Sequence, residues 1–211
     1  KPKYIDGLKI RNTLDCNLNC KHCSAKTLKK NQKGLLTLED YRRIGEECKK
    51  YNDSVVSFTG GEPFSNPRLE EIIKCFNPRE TLIGITTNGT FADEKRLKRL
   101  KKIGLDSMLV SIDSSDPATH DAFRNKKGVF KSAMQTIKTA RKLGIETIII
   151  TTVHHDNIRE KNGLMGMIKL AERLGVLLHV SLAAPVGKWA SEESCRQFLL
   201  TKDDQQYLRR L

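Results

Sequence analysis

The alternation of short apolar runs with helical periods constrains this 211-residue chain more than any other feature. Six runs have strand character, at residues 8–14, 54–59, 81–86, 107–112, 147–153 and 175–182. The fifth is almost continuously aliphatic and β-branched, which predicts a parallel strand buried on both faces. Helical patterns separate the runs. Thr37, followed three residues later by Asp40, caps an expected helix reaching about Lys50. Pro67 suits the first turn of another, ahead of Leu69, Ile72 and Ile73. Stretches near 92–103, 129–143 and 161–174 stop at Gly104, Gly144 and Gly175, and Thr201 caps a last helix starting near Leu200. Parallel strands require crossover connections, so the rhythm predicts a parallel α/β sheet, either open and doubly wound or curled into a full or partial barrel.

In parallel α/β folds, ligands collect at the carboxyl ends of the strands. The unusual residues of this chain fall there each time. Cys16-Asn17-Leu18-Asn19-Cys20-Lys21-His22-Cys23 follows the first run, Gly60-Gly61-Glu62-Pro63 the second and Thr87-Asn88-Gly89 the third. Asp113-Ser114-Ser115-Asp116, His154-His155-Asp156-Asn157 and Ala183-Ala184-Pro185-Val186-Gly187 follow the other three. Six such loops on one rim are expected to enclose one cavity. In the first loop, Cys-x3-Cys-x2-Cys brings three thiolates to three corners of a cubic iron–sulfur cluster and leaves the fourth iron without a protein ligand. Thiolates also suit zinc, but a structural zinc site wants four ligands, and His22 beside Cys23 is an awkward fourth. The other three cysteines stand alone, and Cys48 and Cys75 read as small buried hydrophobes in helices.

Cys16-x3-Cys20-x2-Cys23 with Gly60-Gly61-Glu62-Pro63 resembles the radical S-adenosylmethionine (SAM) superfamily, and the similarity runs through essentially the whole chain. Within it, Ser111-Ile112-Asp113, His120-Asp121-x-Phe123-Arg124 and Gly128-Val129-Phe130 resemble the SPASM/Twitch group. Ala184-Pro185-Val186-Gly187-Lys188 is similar to that group or to its molybdenum-cofactor and heme-biosynthesis relatives. The resemblance implies a partial (β/α)6 TIM-like barrel spanning residues 1–211 as one radical SAM core domain. It implies a [4Fe–4S] cluster on Cys16, Cys20 and Cys23, with SAM on the open iron. Gly60, Gly61 and Glu62 then receive the SAM amino group, Glu62 offering its carboxylate to the ammonium. Ser111 and Arg124 contact ribose and carboxylate, Asn88 and Asp113 line the same site, and His22 and Leu182 pack near adenine. SPASM and Twitch members carry a cysteine-rich extension after the barrel, so an excerpt without that auxiliary-cluster domain is expected.

The implied reaction is reductive cleavage of SAM to a 5′-deoxyadenosyl radical that abstracts hydrogen. Peptide or protein modification is the leading expectation. Small-molecule cofactor biosynthesis of the heme or molybdenum-cofactor type is the alternative, and a non-catalytic Fe–S/SAM-binding module is an alternative of another class. A low-potential flavodoxin- or ferredoxin-like donor is the expected electron source. The formal charge of +13 raises the question of nucleic acid. Much of the excess sits in helical stretches such as residues 95–102, with no aromatic residues interleaved to stack on bases, so nucleic acid is not the expected partner. No run approaches the roughly 20 apolar residues of a membrane span, and Lys1-Pro2-Lys3-Tyr4 leads into no apolar signal core, so a cytoplasmic protein is expected. His154 and His155 tempt as a proton-transfer pair, but neighbours on a strand point opposite ways. His120 reads as local helix structure and Trp189 as packing.

Overall fold

The computed structural model describes residues 7–25, 36–51 and 55–210. Six strands, β1 (Leu8–Thr13), β2 (Val55–Gly60), β3 (Leu82–Thr87), β4 (Leu105–Ser111), β5 (Glu146–Val153) and β6 (Leu177–Leu182), pair in sequence order. Every pairing is parallel. Among the described residues β1 and β6 do not pair with each other, so the sheet is a partial (β/α)6 barrel, open at one side. The crossovers carry α1 (Leu38–Lys50), α2 (Leu69–Lys74), α3 (Glu94–Ile103), α4 (Pro117–Arg124), α5 (Val129–Lys142) and α6 (Leu164–Leu174). Two short helices, α7 (Glu192–Phe198) and α8 (Lys202–Leu208), follow β6.

Local chemistry explains most boundaries. The Thr37 hydroxyl accepts from the Asp40 amide while the Asp40 carboxylate accepts from the Thr37 amide, and Thr201 and Asp204 repeat this reciprocal cap on α8. Helices α3 and α6 stop at left-handed Gly104 and Gly175, and Gly144 lies two residues beyond the end of α5. Pro67 departs from expectation: α2 begins only at Leu69, and Pro67 sits in the turn before it. Cys48 is buried, but Cys75 caps α2 half-exposed, its thiol donating to the Glu71 carbonyl at 3.4 Å.

Side chains of the outer face, among them Phe58, Ile83, Ile85, Met108, Val110 and Ile149, pack under the helices with Leu69, Leu97, Leu100 and Ile137. The fifth strand is covered on this face only. Thr147, Ile149, Thr151 and Val153 are buried, while Ile148, Ile150 and Thr152 alternate with them toward the concave face. Burial on both faces, expected from its continuous apolar run, fails because the inner face of an open barrel lines a cavity. No helix among the described residues is long and apolar enough to cross a membrane.

Candidate SAM and iron–sulfur site

At the carboxyl end of the sheet lies a cavity of about 260 Å³. Cys16, Cys20, His22 and Cys23 line one wall, and Gly60, Gly61, Asn88, Ser111, Arg124 and Thr152 line the rest. Five strands therefore contribute through their ends or following loops, not the six expected. The loop after β6 instead packs on the cysteine loop: the Lys188 amide donates to the Cys23 carbonyl at 3.2 Å.

All three cysteines are free thiols. N–H groups point at their sulfurs: the Leu18 amide at Cys16 Sγ (3.4 Å), Asn88 Nδ2 at Cys16 Sγ (3.9 Å) and Arg124 Nη1 at Cys20 Sγ (3.8 Å). Burial pushes the Cys16 and Cys20 thiols up, partly offset at Cys20 by Arg124. Such thiols need a bound cation to ionise, and donors already aimed at sulfur fit thiolates that a metal holds. Among the described residues no His, Cys, Asp or Glu trio converges tightly enough for a single metal ion. Three thiols on one cavity suit a cubic cluster, which takes a thiolate at each of three corners.

The glycine loop meets the cysteine loop backbone to backbone. The Gly61 amide donates to Thr13 O (2.8 Å) and the Glu62 amide to Asp15 O (2.7 Å). A Cβ on Gly61 would stand 2.2 Å from Asp15 O, so only glycine permits the approach. Glu62 is buried, and its carboxylate accepts from Thr87 Oγ1 (2.7 Å), the Asn88 amide (2.8 Å) and the Phe64 amide (3.1 Å). Burial drives its pKa up against these bonds. Behind the cavity, Arg124 Nε and Nη2 both reach Asp113 Oδ2 at 2.7 Å, and Asp113 Oδ1 accepts from the Thr152 amide at 3.1 Å. Although burial opposes it, the guanidinium holds the Asp113 carboxyl below the usual carboxylate range.

A model of the Radical SAM superfamily matches residues 13–168. The chain belongs to the radical SAM superfamily. It is 32% identical over 179 residues to an "AdoMet-dependent heme synthase" of Nitratidesulfovibrio vulgaris, covering 84% of this chain and 48% of that protein. It is 31% identical over 158 residues to a "Probable GTP 3',8-cyclase" of Methanocella arvoryzae, covering 75% of this chain and 50% of the other. The chain thus spans about half the length of these curated relatives. Among solved structures, Streptococcus suis SuiB bound to S-adenosylmethionine aligns over 98% of this chain and 47% of that one, with TM-score 0.74 and 15% identity. The structure of anSMEcpe with bound AdoMet aligns over 85% of this chain and 51% of that one, with TM-score 0.69 and 21% identity. These likenesses are to the fold.

The cofactors of this radical SAM chain are a [4Fe–4S] cluster and SAM. Of the residues expected to hold them, Cys16, Cys20, Cys23, His22, Gly60, Gly61, Asn88, Ser111 and Arg124 converge on the cavity. Three do not line it. Glu62 accepts from two backbone amides and from Thr87, so its buried carboxylate ties the loops after β2 and β3 together behind the cavity lining. Asp113 sits behind Arg124 and orients it. Leu182 is 53% exposed and pairs in register with Val153, whose buried side chain faces the helices; Leu182 therefore points to the outer face and not into the cavity.

The remaining candidates fall into place structurally. His120 is buried and its Nδ1 accepts from the Asp113 amide at 3.1 Å. His154 stacks on Phe123 at 5.2 Å, and His155 turns outward to Asp204 at 2.7 Å, so they form no catalytic pair. His22 also stacks on Phe123, at 4.7 Å, and burial, then Arg124, lowers its pKa to about 4. Trp189 packs on Phe198 at 4.7 Å. Phe123 and Lys188 escaped the sequence reading as site residues. Phe123 was visible only as a motif aromatic before Arg124, and Lys188 only as the cation after Gly187.

Proposed function

We propose that this chain is the SAM-cleaving half of an enzyme that transforms a small-molecule cofactor precursor, with a tetrapyrrole as the first substrate class to test. The observation that carries this reading is its 32% identity, across most of its length, to a protein named a heme synthase. A "Pre-heme d1 synthase" of Dinoroseobacter shibae, 29% identical over 176 residues, supports the same class. Peptide or protein modification, first on the motifs alone, takes second place: likeness to SuiB bound to its precursor peptide is confined to the fold at 15% identity. A non-catalytic Fe–S/SAM-binding module would bring the same thiols, glycines and Arg124 to one cavity, and release of 5′-deoxyadenosine is what separates it from an enzyme.

When bound, the two cofactors supply hydrogen-atom abstraction by reductive cleavage of SAM. The chain's own residues do the rest. Cys16, Cys20 and Cys23 hold the iron, and Asn88 and Arg124 direct N–H groups at two of the sulfurs. Glu62 fixes the loops after β2 and β3 relative to each other. The wall formed by His22, Phe123, His154 and Trp189 excludes water from the back of the cysteine loop. Membership of the SPASM/Twitch group, one core domain over residues 1–211, cytoplasmic location and a flavodoxin- or ferredoxin-like electron donor belong to this proposal.

Anaerobic reconstitution with iron and sulfide, reduction by dithionite and addition of SAM tests it. 5′-Deoxyadenosine is expected with the intact triad and not with Cys20→Ala, and an iron porphyrin, the class of compound in the name of a Methanosarcina barkeri "Fe-coproporphyrin III synthase" 29% identical over 157 residues, is expected to speed its release. Release that responds to peptides and ignores the porphyrin would return peptide modification to first place.

A further inference from the structure

The turn at Gly187–Trp189 follows β6, the last strand of the sheet, yet it packs on the cysteine loop that follows β1. Lys188 Nζ donates to Asn19 Oδ1 (2.6 Å), to Cys20 O (2.8 Å) and to Asn19 O (3.3 Å), across about 168 residues of sequence. The Lys188 amide reaches Cys23 O at 3.2 Å. Gly187, at φ +61°, lies so close that a Cβ would stand 2.4 Å from both Cys23 O and Ser24 Cα. Trp189, buried, leans on His22 at 5.8 Å. Two of the three cluster ligands are thus held through their own carbonyls by one turn.

We infer that Gly187–Trp189 is a clasp on the cluster-binding loop, with Lys188 as a positioning residue that retains the cluster and favours its reduced state. The physical grounds are two. A short loop carrying three thiolates has to give up backbone freedom to hold a cluster, at about 1–2 kcal/mol per fixed residue. Contacts to the carbonyls of Asn19, Cys20 and Cys23 remove that freedom before the metal arrives. In addition, an ammonium 2.8 Å from the Cys20 carbonyl adds positive charge at the backbone of a cysteine taken to hold the cluster. Nearby charge and hydrogen bonding are the protein's means of setting such potentials. Lys188 makes no contact with the cavity and is not one of its lining residues.

The clasp rests on Cys16, Cys20 and Cys23 being the cluster ligands, and three variants separate the two ideas. Lys188→Met keeps the stem and removes the charge, Lys188→Arg keeps the charge, and Gly187→Ala pushes the turn off Cys23 with Lys188 intact. Each is reconstituted anaerobically and followed by iron and sulfide content, by bleaching in excess chelator, and by an EPR-monitored redox titration. Near-ultraviolet circular dichroism of the metal-free proteins checks the fold. Lys188→Met is expected to lose its cluster about tenfold faster than wild type and to favour the reduced state about tenfold less, a shift of about 59 mV to lower potential for one electron. Gly187→Ala is expected to lose the cluster faster with little change in potential, and Lys188→Arg to retain most of both properties. Wild-type retention and potential in a folded Lys188→Met overturn the clasp and leave the ligand assignment standing. A wild-type chain that binds no cluster overturns both. If Lys188→Met alone misfolds, Gly187→Ala and Lys188→Arg decide: wild-type cluster retention in Gly187→Ala overturns the clasp.

Discussion

Arg124 holds the most exposed stakes of any single residue in the site, because it is buried with a buried partner. Both its Nε and Nη2 reach one oxygen of Asp113, and its third nitrogen points at the Cys20 sulfur. Removing one member of such a pair strands the other charge in a low-dielectric setting, at a cost of about 3–5 kcal/mol. Arg124→Met is therefore expected to destabilise the metal-free protein by about that amount in urea titrations. Arg124→Met combined with Asp113→Asn is expected to recover a good part of it, because the amide still accepts from Thr152 without carrying charge. Equal losses in the single and double variants would mean that Arg124 acts by packing alone. The residue types of this site were readable from the sequence, since Arg124 follows a recognisable motif. Its partner was not: Asp113 read as a cavity residue, and only geometry puts it behind the guanidinium. Glu62 tells the same story. A glutamate after two glycines signals a ligand loop, but whether it faces ligand or backbone depends on Thr87 and Asn88, which lie 25 and 26 residues further on.

Elements were legible where local chemistry decides them and illegible where tertiary contacts do. Thr37 and Thr201 marked their helices because a reciprocal cap is written in four consecutive residues. The outward turn of Leu182 was not legible, because facing follows from register with Val153 on the neighbouring strand. Helix α8 shows how a short element is kept in place. Asp204, buried, accepts from the Thr201 amide at 2.9 Å, lies 2.7 Å from His155 Nδ1 and pairs with Arg159. Despite desolvation, the hydrogen bonds from His155 and Thr201 hold its carboxyl at about 2. A carboxyl lowered on folding contributes stability above its ordinary pKa near 3.8 and loses it as pH falls toward 2. In the metal-free protein, α8 amides are thus expected to keep their exchange protection at pH 5 and lose it between about 4 and 2. Asp204→Ala is expected to abolish that protection already at pH 7 while the amides of β3 and β4 stay protected. Unchanged α8 protection in Asp204→Ala would place the anchor of α8 in its apolar contacts, Tyr207 and Leu208, instead.

At the scale of the whole molecule, the strand–helix rhythm was enough to give six parallel strands in order, but not the closure of the sheet. Closure depends on whether the first and last strands meet, and no local pattern records that. An open sheet with its functional groups on five separate connections has a consequence for stability. The cysteine loop, the Gly60-Gly61 turn, Asn88, Arg124 and Thr152 come from segments far apart in sequence, and the cavity is where they face one another. A ligand filling that cavity binds only the folded arrangement, so it stabilises by about 2.7 kcal/mol at a hundredfold excess over its dissociation constant. For a chain of this length that is a rise of roughly 5–10 °C in Tm. With the cluster in place, SAM is therefore expected to raise Tm by that amount and to slow amide exchange at the ends of β1 to β5 together. The cluster alone is expected to slow exchange chiefly in residues 16–25 and in the Gly187–Trp189 turn packed on them. Protection by SAM that stays confined to residues 16–25 would mean that the five connections form a wall around the ligand without sharing its binding energy.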